Sequence, residues 1–217
     1  MNVFILKSLS LVFMIIDHYG AIFHEGILIY RIIGRLAFPI YCFLVVEGYV
    51  HTRNIKKYGK RLLAFAIISE IPFDLAFYGG LGFIHQNIFF TLLIGLLMMY
   101  FLDNEEKYKI NKSVVVLIGM FSAILLAVDY NFIGIIYILA FYYTKELPRL
   151  ERLTKVGVIL FLINLLTLSL LQQFAILALP IIYFYDGKLG PNNKFLKIFF
   201  YIAYPLHLLV FYFAAKM

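Results

Sequence analysis

Eight ionisable side chains sit where an apolar chain should not carry them. Lys7, Asp17, His18, Arg31, Arg35, Glu47, Glu70 and Asp74 all fall inside long apolar runs in the first third of the sequence. Within lipid an unpaired charge costs at least about 2.5–3.5 kcal/mol, so such groups are expected to face a bundle interior, pair there and mark function. Later runs carry only milder polar residues, among them Asn87, Thr91, Asn164 and Thr167.

Spacing decides which of these share a helix face, because residues three or four apart are neighbours. Arg31 and Arg35 stack as like charges, Glu70 and Asp74 do the same, and Glu47 stacks with His51. Each like-charged pair therefore predicts counter-charges on another helix, and a network of Asp17 and Asp74 with the two arginines is the expected arrangement. Lys7 and His18 form a different kind of pair. At the helical rise their Cα atoms are about 16 Å apart along one axis. Such a helix can hold a phosphate-bearing carrier at its base and place the reactive group beside an imidazole. A neutral imidazole is a general base near neutral pH, and the adjacent Asp17 is the residue expected to orient it or stabilise its protonated form.

Other polar residues are candidates for the far side. His207, in Tyr204-Pro205-Leu206-His207, follows a proline that frees a backbone carbonyl inside a helix. His24 with Glu25, and His85-Gln86-Asn87, are expected to flank an acceptor entrance. Metal chemistry is not expected, since no two of the five histidines have His-x-x-x-His spacing and the single Cys42 lies in an apolar run. A Gly-x-Ser-x-Gly elbow and a phosphate-cradling Walker loop are also absent from the sequence.

The elements that must position these groups follow from composition. Of 217 residues, 64% are hydrophobic and 14% charged, with mean hydropathy +0.92. An ordinary soluble domain is nearer half apolar and a quarter charged, so lipid is the expected solvent. Nine apolar runs approach the length a bilayer requires: residues 3 to 23, 28 to 50, 61 to 78, 85 to 102, 113 to 128, 131 to 144, 156 to 170, 172 to 185 and 196 to 215. The sixth, seventh and eighth are short. No linker separates domains, and no internal repeat is found. The expectation is an all-α, polytopic membrane helical bundle of about nine (8–10) transmembrane helices, forming a single domain over residues 1–217.

The net charge of +7 does not point to nucleic acid, because the positive residues are spread over short loops. Four connections are basic: His51 to Arg61, the stretch of Lys107, Lys109 and Lys112, the stretch from Lys145 to Lys155, and the stretch from Lys188 to Lys197. Those near Glu25, Gly80, Tyr130 and Gln172 carry no Lys or Arg. Basic loops stay in the cytoplasm, so the N-terminus is expected inside and, with nine helices, the C-terminus outside.

Several connected pieces carry a family resemblance. They are Leu-Lys-Ser-Leu-Ser-Leu-Val-Phe-Met-Ile-Ile-Asp-His-Tyr-Gly from Leu6 to Gly20, Arg-Ile-Ile-Gly-Arg-Leu-Ala-Phe-Pro-Ile from Arg31 to Ile40, Val-Glu-Gly-Tyr-Val-His-Thr-Arg-Asn from Val46 to Asn54, Ser-Glu-Ile-Pro-Phe-Asp from Ser69 to Asp74, and Gln-Asn-Ile-Phe-Phe-Thr from Gln86 to Thr91. Together they resemble the TraX family of bacterial membrane proteins, whose founding members are associated with N-terminal acetylation of conjugative pilin. The first piece is also similar to the Lys/Arg-x10-His signature of the wider acyltransferase-3 superfamily, with Lys7 and His18 in the two positions. Residues 100 to 195 match only in hydropathy.

The resemblance implies an acetyl-CoA-dependent membrane acyltransferase, multi-pass in the bacterial inner membrane. It would move an acyl group from cytoplasmic acyl-CoA to an amine or hydroxyl of a peptide, glycan or lipid. His18 would be the base and Asp17 its orienting partner. Lys7, Arg53, Lys56 and Lys57 would meet the CoA phosphates. Arg31, Arg35, Glu47, Glu70, Asp74, Gln86, Asn87 and His207 would serve the acceptor or the oxyanion, with no metal. A transporter or proton-coupled channel is the competing expectation, since intramembrane charges also build ion paths.

Overall fold

Asparagine starts most of the long helices. In the computed structural model, which describes residues 1–166 and 169–217, the side chains of Asn2, Asn54, Asn87, Asn111 and Asn193 each accept a backbone N–H of the first helical turn. Each satisfies a donor that the helix itself leaves orphaned. The elements so bounded are α1 (Val3–Phe23), α2 (Leu28–Gly34), α3 (Ala37–His51), α4 (Ile55–Tyr78), α5 (Ile88–Asp103), α6 (Glu105–Tyr108), α7 (Lys112–Leu125), α8 (Asn131–Tyr143), α9 (Arg149–Leu166), α10 (Leu170–Gln173), a 3₁₀ turn Phe174–Leu177, α11 (Ala178–Tyr183) and α12 (Lys194–Ala215). Thr167 lies outside the described residues, as does the part of the seventh run next to it.

The helices match the nine apolar runs with three departures. The run from 28 to 50 breaks at Arg35 and Leu36, because Pro39 has no N–H to bond the Arg35 carbonyl and sits in the first turn of α3 instead. The basic segment before residue 61 is largely helix, since α4 begins at Ile55 on its Asn54 cap. The run from 172 to 185 is a short helix, a 3₁₀ turn and another short helix. Among the described residues, three helical stretches are long and apolar enough to cross a membrane: Val3–Phe23, Leu28–His51 and Lys194–Ala215. The other apolar helices are shorter, and α4 carries too many charges to count on composition.

Packing places the ends of the bundle. α12 runs parallel to α1, with Phe4 against Phe200 near one end and Phe23 against Phe211 near the other. The N-terminal end also holds the contacts Val3 N–H to Lys188 O (2.8 Å), Tyr49 Oη–H to Asp103 (2.6 Å) and Arg152 to Glu47 (3.3 Å). At the opposite end Gln86 exchanges backbone hydrogen bonds with Ala127 and Asp129, and Arg35 meets Tyr130 and Gln172. The basic connections thus collect at one end and the Lys/Arg-free ones at the other, the partition expected from loop charge. Ile40, Leu96, Tyr137, Ile138 and Phe141 form the centre, while Ile67, Ile68, Leu117, Phe121 and Val210 face outward. Apolar residues therefore line the core and the outer surface, as lipid permits and water would not.

α2 reaches α1 closely because position 34 is glycine. A Cβ there would overlap the carboxylate of Asp17. Gly34→Leu is therefore expected to destabilise the bundle by about 1–3 kcal/mol through overpacking, whereas Gly26→Ala, which has open space around it, should be neutral. Cys42 is fully buried and is the sole cysteine, so the temperature at which a thiol-reactive dye labels it in detergent measures both.

Candidate active site

The charged residues of the first helices sort into three groups along α1. Nearest its N-terminus, Lys7 lines a cavity of about 350 Å³ together with Arg61 and Lys197. None of the three has a carboxylate ion-pair partner among the described residues. Aromatic rings hold them instead, with Lys7 over Phe200 and Arg61 over Tyr58. Glu47 also lines the cavity, but its carboxylate is engaged by Arg152 at 3.3 Å and lies 4.0 Å from His51. The mouth is therefore an electropositive funnel suited to phosphates. The same cavity is lined by Met14, Tyr41, Leu62, Phe89, Leu92 and Tyr204.

Of the four residues read from sequence as phosphate contacts, Lys7 lines this cavity and Arg53, Lys56 and Lys57 do not; Arg61 and Lys197, which are exposed as those three are, line it as well. A sequence signal for Arg61 exists, since it shares a helix face with Tyr58 and Phe65, at spacings of three and four. Phe65 stacks on Tyr201 of α12, so that face points into the bundle.

One turn beyond Met14, His18 lies between Phe77 of α4 and Tyr204 of α12, with ring centroids 5.2 and 6.1 Å away. Its Nδ1 is 2.7 Å from Nε2 of His207, and the two rings are nearly coplanar, 14° apart. His207 Nδ1 in turn lies 2.8 Å from the Ala203 carbonyl. His207, read from sequence as an acceptor or oxyanion contact, is instead the direct partner of His18.

Asp17, adjacent in sequence, points elsewhere. Its carboxylate receives Arg31 at 2.9 Å and Arg35 at 2.8 Å, so it does not orient His18. Successive helix residues diverge by about 100°, which is why Asp17 faces α2 while His18 faces α12. The two arginines are correspondingly occupied: Arg31 also bonds the Asp17 carbonyl, and Arg35 donates to Gln172 Oε1 at 3.3 Å. The network continues through Gln172 to Tyr137 and from Tyr137 to Asn164 (3.3 and 2.6 Å), tying α8 and α9 to the ion pair. Asp74 is not part of it.

A third group lies on α4. Glu70 Oε2 accepts from the backbone and side chain of Asn87, whose amide also donates to Ala66 O at 2.7 Å. Asp74 Oδ2 accepts from Gly82 N–H at 2.9 Å. Glu70 Oε1, Asp74 Oδ1 and Ser69 Oγ are buried without a hydrogen-bond partner among the described residues. Gln86 contributes its backbone to the pairing with Ala127 and Asp129, His85 bonds the Ala127 carbonyl, and His24 bonds Tyr19 on an exposed turn. The described residues contain no group of three metal-ligating side chains placed to hold an ion.

Removing the Asp17 charge would leave two guanidinium groups partly buried without their carboxylate. Asp17→Asn is expected to cost about 3–5 kcal/mol, the range for breaking a buried pair, and to lower the temperature of Cys42 labelling. It should also weaken the contact between His18 and His207, because the ion pair sets the rotation of α1, and the imidazole nitrogen spectrum checks this.

Comparison with known proteins finds two relatives of this chain. The chain is 30% identical to a probable fimbrial assembly protein FimC (serogroup H1) of Dichelobacter nodosus, over 95% of this chain and 93% of that protein. It is 31% identical to an uncharacterised protein of Rickettsia prowazekii (strain Madrid E) over 46% of this chain and 38% of that one. No solved structure matches. The family described as TraX protein matches residues 3–214, which takes in the cationic funnel, the paired histidines and the carboxylates of α4 alike; the chain is a member of the TraX family.

Proposed function

We propose that the protein is a multi-pass acyltransferase of the bacterial inner membrane that moves an acetyl group from cytoplasmic acetyl-CoA to a primary amine on the outer side. The observation that carries this reading is the line from the Lys7, Arg61 and Lys197 funnel, through the apolar cavity, to His18 one turn beyond its end. The funnel holds the nucleotide phosphates, the apolar channel receives the pantetheine arm, and the thioester arrives near the imidazole. The basic end of the bundle is then the cytoplasmic end. The likeness of the first helix to the acyltransferase-3 signature supports the same assignment of Lys7 and His18.

For the acceptor, charge favours an amine over a hydroxyl. Asp17, Glu70, Asp74 and Asp129 outnumber Arg31 and Arg35 in this half of the bundle, and carboxylate oxygens of Glu70 and Asp74 lack partners. An ammonium supplies both the missing charge and the missing donors. The relative named as a fimbrial assembly protein makes the terminus of a pilus-type subunit the natural acceptor. The ammonium sheds one proton to the outer aqueous face, and the amine nitrogen then bonds the thioester carbon. The carbon–sulfur bond breaks, and His18 carries the second proton from nitrogen to the leaving thiolate.

Purified protein in nanodiscs, given radiolabelled acetyl-CoA and a short peptide with a free N-terminus, should transfer the label to that terminus. His18→Ala is expected to lower kcat by at least about 100-fold, the lower range for a general base; equal activity would remove His18 from the reaction. Arg61→Ala and Lys197→Ala should raise the KM for acetyl-CoA by roughly tenfold, the scale of one charge-assisted hydrogen bond, while Lys57→Ala leaves it unchanged. A serine-bearing peptide with a blocked N-terminus should remain unlabelled.

A further inference from the structure

Two histidines that meet across a bundle must decide which nitrogen of each carries hydrogen, and here the backbone decides. The Ala203 carbonyl can only accept, so His207 Nδ1, 2.8 Å away, is the nitrogen that donates. In a neutral imidazole that leaves His207 Nε2 with a lone pair. His18 Nδ1 lies 2.7 Å from that lone pair, so His18 must carry its own hydrogen on Nδ1. The lone pair of His18 is then on Nε2, which makes no hydrogen bond within the described residues. Asp17 cannot substitute in this role, because both its oxygens are taken by arginines.

We propose that His207 is the positioning residue of the site: it fixes His18 as the Nδ1–H tautomer, so that Nε2 is the basic atom that meets the acceptor proton. An imidazole in water ordinarily prefers its hydrogen on Nε2, the form that would leave His18 unable to act as a base on that side. The chain of Ala203 carbonyl, His207 and His18 reverses that preference. It also holds the ring plane, since the two coplanar rings are packed edge-on by Phe77, Tyr204 and Phe211. When His18 takes a proton on Nε2, its Nδ1–H bond to His207 strengthens as a charge-assisted bond. No second proton transfer is needed, and His207 stays neutral.

The inference rests on His18 acting as a base for its catalytic meaning, but its geometry can be tested without turnover. Protein with 15N-labelled histidine in nanodiscs, at about pH 8 where free histidine is neutral, is examined for imidazole nitrogen shifts. A 15N–15N coupling through the N–H···N bond identifies the pair. The expected spectrum has His18 protonated on Nδ1 and bare on Nε2, coupled to His207 Nε2. His207→Phe should shift His18 toward the Nε2–H form and lower kcat at least tenfold, with the KM for acetyl-CoA within twofold. His207→Gln, whose side-chain carbonyl can accept the same hydrogen, should restore the tautomer and most of the rate. A wild-type His18 carrying its hydrogen on Nε2, or an unchanged tautomer in His207→Phe, would overturn the proposal. The wild-type spectrum decides even where a variant does not fold. A correct tautomer in a protein whose His18→Ala variant is fully active would leave the positioning intact and refute the acyl-transfer reading alone.

Discussion

The carboxylate of Asp17, held between Arg31 and Arg35, is the interaction on which the arrangement depends. It fastens α1 to α2 at a point where Gly34 lets the two backbones close, and through Arg35, Gln172 and Tyr137 it reaches α8 and α9. A charge in lipid has few places to go, so this cluster fixes the rotation of α1 about its axis. With Asp17 facing α2, His18 is committed to face α12 and α4. The ion pair therefore acts on the site by direction, and makes no contact with the imidazole that it aims.

Along α1 a cavity lined by Lys7, Arg61 and Lys197 is followed by the paired histidines, with the carboxylates of α4 in the same half of the bundle as the Asp17 ion pair. Tyr204 lines the cavity and packs edge-on against His18, their ring centroids 6.1 Å apart. Lys7, Arg61 and Lys197 line the end nearest the start of α1, without a carboxylate ion-pair partner among the described residues. In α4, Glu70 Oε1 and Asp74 Oδ1 are buried without a hydrogen-bond partner among the described residues. The cations near the start of α1 and the carboxylates of α4 thus give the two ends of the bundle different charge.

Much of this was legible in the sequence because lipid makes polar residues conspicuous. The all-helical fold and the alternation of basic and neutral connections correspond to features of the structure, whereas of the nine apolar runs only three give helical stretches long and apolar enough to span a membrane among the described residues. Lys7 lines the cavity, and His18 lies one turn beyond Met14 on the same helix. What stayed hidden depends on direction and on contacts between distant segments. Adjacency suggested Asp17 as the partner of His18, yet neighbours on a helix point about 100° apart. The true partner, His207, is 189 residues away. Arg53, Lys56 and Lys57 are basic like Arg61, but only Arg61 shares the inward face of Tyr58 and Phe65. Asn87 and Glu70 looked like acceptor contacts, and much of their capacity is used in starting α5. The break after Gly34 was signalled by Pro39 and was masked by an unbroken apolar run.

The central claim is that donor and acceptor reach His18 from opposite ends of one bundle, and sidedness tests it most directly. Protein reconstituted in one orientation in sealed liposomes would be given radiolabelled acetyl-CoA on one face and a peptide amine on the other. The account predicts labelled peptide only when acetyl-CoA is at the basic end and the peptide at the opposite end. Equal labelling with both substrates on the same face would contradict it.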